Sequence, residues 1–151
     1  MFYDQGNLLI VMAEPFLTRI KILDEQHRGI VSIINALHYA LYAGHRDTIM
    51  EPTAAMIMGY TRIHFETEMD LLEESGYSKR AEHQELHEEL INDFERIAAA
   101  AGYFKADGDP MELLEFLKHW WKNHITIEDM AYGAHLKEYL LSGRRVIVKR
   151  G

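Results

Sequence analysis

"HFETE", residues 64–68, sets an imidazole and a carboxylate four residues apart, with Phe65 between them. Positions i and i+4 lie on one face of a helix, one turn apart. That face runs through Ala54, Ile57, Thr61, His64, Glu68 and Leu71 and is otherwise largely apolar. A chain that aims two ionisable groups at its own core needs something there to satisfy them.

The same three-and-four spacing recurs on both sides of this stretch. One stripe runs Ile20, Leu23, His27, Ile30, Ile34, Leu37, Leu41, and another runs His83, His87, Leu90, Phe94, Ile97, Ala101. A fourth runs Leu113, Leu117, Trp120, His124, Ile127, Ala131. Four inward stripes predict four helices. The stretches "AGHRD" (43–47), "ESGYS" (74–78) and "AGYFKADGDP" (101–110) separate them, with Gly44, Gly76 and Gly102 as helix stops. Ser78 and Asp109 suit N-caps, and Pro110 suits a first helical position. Pro52 implies a second helix that begins near Glu51, or a loose first turn over 47–51. Short connections favour an all-α, antiparallel up-down four-helix bundle. Its expected extent is residues 18–142, after an N-terminal arm (1–17) and before a basic C-terminal tail or short helix (143–151). Strand-like alternation is confined to "RRVIVKR" at 144–150.

Composition narrows the function. A chain of 151 residues, 26% charged and 48% hydrophobic, can bury a core as one domain. The net charge of −8 argues against nucleic acid or an anionic membrane as partner. With no cysteine, thiolate metal sites, disulfides and thiol catalysis are excluded. The run "LLIVMA" is far shorter than the ~20 residues of a membrane span, and no basic residue precedes it as in a signal peptide. A reducing cytoplasm is the expected location.

His27, His64, Glu68, His83, His87 and His124 all fall on the stripes. Burying each without a partner costs roughly 1–3 kcal/mol, and a metal ion pairs several at once. His64/Glu68 and His83/His87 are both i,i+4 pairs, so each converges on a point. Imidazole with carboxylate suits iron, zinc or manganese. The set exceeds the four ligands of a structural zinc site, which makes two metals more natural than one. "HQELH" (83–87) has Gln84 where the zinc-protease motif needs a glutamate base. No histidine has a glutamate three residues before it, as ferritin-like di-iron sites require. A haem pocket would use only one or two of these histidines.

Taken together, "DEQH", "HFETE", "HQELH" and "WWKNHITIED" resemble the hemerythrin family, and within it the bacteriohemerythrins, over roughly residues 20–132. The resemblance implies a four-helix bundle with a non-haem di-iron centre, oxo- or hydroxo-bridged, that binds O2 reversibly. It implies His83, His87 and His124 on one iron, His27 and His64 on the other, and Glu68 and Asp129 bridging the two. The implied role is oxygen storage, delivery or scavenging. The alternatives are an O2 or redox sensor that signals to a partner or fused domain, and a peroxide- or NO-reactive di-iron protein. A histidine-rich, carboxylate-poor set favours oxygen binding over an enzyme.

Three positions depart from simple expectation. Asp129 lies five residues after His124, about 140° round an ideal helix, whereas Glu128 lies nearer the stripe. A one-residue π-type bulge near 125–128 reconciles Asp129 with the family pattern. Trp121 stands where the family usually has an aliphatic residue over the oxygen pocket, and its indole either donates to bound oxygen or packs away. Met12 stands where the family often has a tryptophan, about a dozen residues before Asp24.

His38, His45, His119 and His135 are expected to be spectators. Met56, Met58, Met69 and Met130 are expected to fill the core. Glu82, Glu85, Glu88 and Glu89 read as a solvated face from which one carboxylate can support a ligand histidine.

Overall fold

The computed structural model describes residues 17–100 and 110–143. Four long helices alternate in direction: α1 (Lys21–Tyr42), α2 (Arg46–Glu74), α3 (Arg80–Ala100) and α4 (Pro110–Asn123). A π-helical turn, His124–Asp129, carries α4 into α5 (Met130–Leu141). Each helix packs against its neighbours in sequence, and α4 closes the ring against α1. The fold is an antiparallel up-down four-helix bundle, with no strand among the described residues. No described helix is long and apolar enough to cross a membrane.

Local chemistry sets the helix ends. Gly44 and Gly76 adopt φ of +84° and +68°, left-handed conformations that stop α1 and α2 at little steric cost. Pro110 opens α4, where its missing N–H costs nothing. At the start of α1, Asp24 accepts hydrogen bonds from Thr18 N (2.8 Å), Thr18 Oγ1 (2.8 Å) and Arg19 N (3.1 Å). This carboxylate ties the segment that enters the bundle to the first helical turn.

Several local expectations are corrected. Helix α2 begins at Arg46, so Pro52 sits inside it; the exposed ring interrupts one backbone bond without ending the helix. Ser78 is not the residue before α3, because a turn through Lys79 closes Arg80 N onto Tyr77 O at 3.2 Å. Met56 and Met130 are exposed rather than core, whereas Met58 and Met69 pack against it. Met12, Gly102, Asp109, most of the expected arm and nearly all of the basic tail lie outside the described residues.

The first two stripes are buried almost throughout, as the spacing predicts. The fourth stripe is not. Ile127 and Ala131 are exposed, while Asp129, Tyr132 and Leu136 turn inward. The π turn holds one extra residue, so every inward position after His124 falls one place later.

The core has two apolar halves. The larger holds Ile30, Ile34, Ile57, Phe65, Leu117 and Trp121, and the smaller holds Leu23, Leu71, Leu72, Tyr132 and Leu136. A layer of histidine and carboxylate lies between them.

Candidate metal centre

Seven side chains make up that layer. His27 comes from α1, His64 and Glu68 from α2, His83 and His87 from α3, and His124 and Asp129 from the two ends of the π turn. In α geometry Asp129 would point about 140° away from His124. The wider turn instead brings Asp129 Oδ1 to 2.9 Å from His124 Nε2. Glu128 is half-buried and lines surface clefts rather than the layer.

The two carboxylates are placed alike. Glu68 Oε1 is 2.9 Å from His64 Nε2, while Oε2 is 3.0 Å from His83 Nε2 and 2.9 Å from His87 Nε2. Asp129 Oδ2 is 2.7 Å from His27 Nε2, and its Oδ1 faces His124. Each carboxylate therefore offers one oxygen to the His27–His64 pair and the other to the three-histidine set. Glu68, His83, His87 and His124 form one group whose ligand atoms lie within 4.8 Å of one another; His27, His64, Glu68 and Asp129 form the second.

Several of these close approaches are not hydrogen bonds. His87 Nε2, His124 Nε2 and both Asp129 oxygens are sealed from solvent and have no hydrogen-bond partner, although each lies within 3 Å of an opposing ligand atom. The N and O atoms are close yet misaligned for each other, as expected when lone pairs converge on a shared third atom. His27 Nε2 and His64 Nε2 lie at hydrogen-bond distance, 3.0 Å, which also suits two acceptors around one cation. Nitrogen and carboxylate oxygen donors fit iron, and the chain offers enough of them for two ions.

Supporting contacts fix the ligands. His64 Nδ1 donates to Gln26 Oε1 at 2.8 Å, which leaves the Nε2 lone pair free for a metal. Gln26 Nε2 donates to Thr67 Oγ1 at 3.0 Å, and Thr67 donates to the Ile63 carbonyl at 2.9 Å. Phe65 stacks on His87 with ring centroids 3.6 Å apart and planes 3° apart. Tyr132, fully buried, donates a hydrogen bond to Glu68 Oε1. Sequence reasoning missed Tyr132 because it enters the stripe only after the π offset. Gln26 lay within the quoted "DEQH" without a role. Glu82, Glu85, Glu88 and Glu89 are exposed, and no hydrogen bond joins them to a ligand histidine among the described residues.

The remaining histidines lie outside the layer. His135 Nε2 contacts Ser75 Oγ at 3.0 Å and so meets the end of α2, and His119 pairs with Glu115 at 3.5 Å on the surface. His38 is half-buried, and His45 sits exposed before α2. Trp121 belongs to the layer's surroundings. It is fully buried, with its ring 5.7 Å from His64, 5.8 Å from His124 and 6.0 Å from His27.

In the metal-free chain the layer is strongly polarised. Burial disfavours charge on His64, but Glu68 and Asp129 outweigh it and raise its pKa to about 9. For His87 burial wins over Glu68 and lowers the pKa to about 4. Burial would raise Glu68, yet His64, His83 and His87 hold it well below the ordinary range. Burial and Glu68 push Asp129 up, but His124 and His27 outweigh them and hold it below the ordinary carboxylate range.

These shifts carry a stability prediction. Between about pH 6.5 and 9 the folded state binds a proton on His64 that the unfolded state has lost, so stability falls as pH rises. Between about 6.5 and 4 the unfolded chain binds a proton that His87 refuses, so stability falls as pH drops. Glu68 adds to the acid-side loss as pH falls toward its depressed folded value. Urea melts of the metal-free chain are expected to show maximal stability near pH 6.5, and a flat profile from 5 to 9 contradicts this.

Fold and side-chain geometry together define a four-helix bundle whose core carries a histidine and carboxylate layer able to hold a cation. Residues 18–136 match the hemerythrin HHE cation binding domain, and the chain belongs to the hemerythrin family. It is 35% identical over 133 residues to a bacteriohemerythrin of Stenotrophomonas maltophilia, covering 87% of this chain and 84% of the relative. A bacteriohemerythrin of Methylococcus capsulatus is 30% identical over 129 residues, covering 83% and 95%. Crystal structures of hemerythrin mutants, with a leucine replaced by tyrosine or by alanine, superpose with a TM-score of 0.71 at 25% identity. Each of those superpositions covers 86% of this chain and 98% of the other.

Proposed function

We propose that this chain binds O2 reversibly at two iron ions. His83, His87 and His124 hold one, His27 and His64 hold the other, and Glu68 and Asp129 bridge them. The observation that carries this reading is the paired placement of the carboxylates, each with one oxygen toward each histidine set. Two ferrous ions supply the electron pair that reversible binding of O2 needs.

The chain's own residues do the rest. Glu68 and Asp129 bring two negative charges to balance the cations. Tyr132 holds a proton on Oη against Glu68 Oε1, and burial followed by Asp129 and Glu68 keeps that phenol well above its ordinary pKa. Enclosure excludes water unevenly. His27 and His64 are fully buried, whereas His83 is 6% exposed and borders a surface cleft of about 370 Å³. The drier side is the two-histidine side, and dryness there favours reversible binding over loss of reduced oxygen to solvent.

An enclosed centre with five histidines and two carboxylates supports a role in oxygen storage, delivery or scavenging. The test is anaerobic loading with Fe(II) followed by repeated addition and removal of O2. A visible band that appears and fades over several cycles is the expected result. A single irreversible oxidation contradicts the carrier reading and favours redox sensing or peroxide chemistry.

A further inference from the structure

On the larger-core face of the metal layer Thr61 and Trp121 each carry a leftover polar group, beside Trp120, whose indole N–H is also unpartnered but whose ring packs among Phe65, Phe94 and Phe116. Thr61 Oγ1 and Trp121 Nε1 are both fully sealed from solvent, and neither has a hydrogen-bond partner. A buried threonine in a helix ordinarily returns its hydroxyl to the carbonyl one turn back, as Thr67 does to Ile63. Thr61 makes no such bond. Leaving each donor unsatisfied costs roughly 1–3 kcal/mol, so the pair calls for an acceptor that is not part of the chain.

Their placement is related by the fold. Thr61 lies three residues before His64 on α2, and Trp121 lies three residues before His124 on α4. In an up-down bundle α2 and α4 run the same way, so both residues sit one turn from the ligand layer toward the same end. That end is the larger apolar half-core with Ile30, Ile57 and Leu117. Tyr132 belongs to the opposite half. The Trp121 ring lies 5.7 Å from His64, 5.8 Å from His124 and 6.0 Å from His27, which places the indole against the layer between its two histidine sets.

We infer that Trp121 Nε1–H and Thr61 Oγ1–H form a donor pair that selects small, negatively charged or charge-accepting ligands on the larger-core face of the layer. This rests on the di-iron reading above and adds ligand selectivity to it. An apolar pocket offers bound O2 no donor, whereas these two groups favour a ligand that carries charge on its outer atom, and an anion such as azide most of all.

The experiment titrates the oxidised, iron-loaded protein with azide and follows the visible spectrum, with iron per chain measured alongside. Trp121→Phe removes the N–H but keeps a ring, and Thr61→Val removes the hydroxyl at nearly constant volume. Each is expected to weaken azide binding by about tenfold, since a hydrogen bond to a charged group is lost. In the unsubstituted protein the azide stretching band is expected to shift between H2O and D2O, with a smaller shift in Trp121→Phe. Unchanged azide affinity in both variants overturns the inference, and so does iron loss in both, which assigns the residues to packing. Fewer than two irons in the unsubstituted protein fails the di-iron reading itself and takes this inference with it.

Discussion

Glu68→Ala is expected to empty both halves of the metal centre. Glu68 is the one side chain that belongs to both ligand groups, and its two oxygens lie within 3.0 Å of His64, His83 and His87. Its removal takes a charged ligand from each ion at once. Changes to groups that merely support ligands cost about 10–100-fold in metal affinity, and loss of a bridge should exceed the upper figure. The metal-free fold suffers too. A charged His64 and the Tyr132 hydroxyl lose their buried acceptor, and breaking such a buried pair costs about 3–5 kcal/mol. Glu68→Gln separates the two effects, because an amide oxygen still accepts from Tyr132 but brings no charge to a cation. Iron content and urea midpoint, measured on both variants, are the readouts. Near-full iron in Glu68→Ala would contradict the bridging role.

The second large effect is a contrast between neighbours. Asp129→Ala is expected to lose iron by ~100-fold or more in affinity, and Glu128→Ala to stay within about threefold of the parent. Asp129 is fully buried with Oδ1 at His124 and Oδ2 at His27, whereas Glu128 lines surface clefts. Simple helical spacing favours the opposite result, since Glu128 sits at i+4 from His124. The contrast therefore tests the π turn in solution. Equal losses in the two variants would mean that α4 continues as an ordinary α-helix through residues 124–129.

Most of the bundle was legible because hydrophobic periodicity is a direct consequence of helical geometry. The stripes through Ile20–Leu37 and Ala54–Leu71 are buried as read, and the histidines on them meet in one layer. What the spacing hides is any change of period. Once the π turn inserts one residue, Ile127 and Ala131 swing to the surface and Tyr132 comes inside, so a rule that extrapolates the stripe picks the wrong residues. Family resemblance supplied Asp129 there, since local spacing alone favoured Glu128. Helix starts were harder for a different reason. Pro52 discourages a helix on local grounds, but one missing N–H on an exposed face is a small loss beside the packing of α2 against α1. The partners of the ligands, Gln26 on α1 and Tyr132 on α5, are set by tertiary contact between distant segments and leave no periodic trace.

Tyr132 and Gln26 also sharpen what holds the site together. One carboxylate oxygen and one imidazole nitrogen are each held by a group from a different helix, so neither side chain is oriented by a cation alone. Such preorganisation is what a centre needs if it is to change its bound ligand without rearranging its own side chains.

The most direct test of the whole account is to crystallise the iron-loaded protein and collect anomalous diffraction at the iron edge. Two peaks are expected, one among His83, His87 and His124 and one beside His27 and His64, with Glu68 and Asp129 reaching both. A single peak, or iron bound anywhere outside the seven-residue layer, would contradict it.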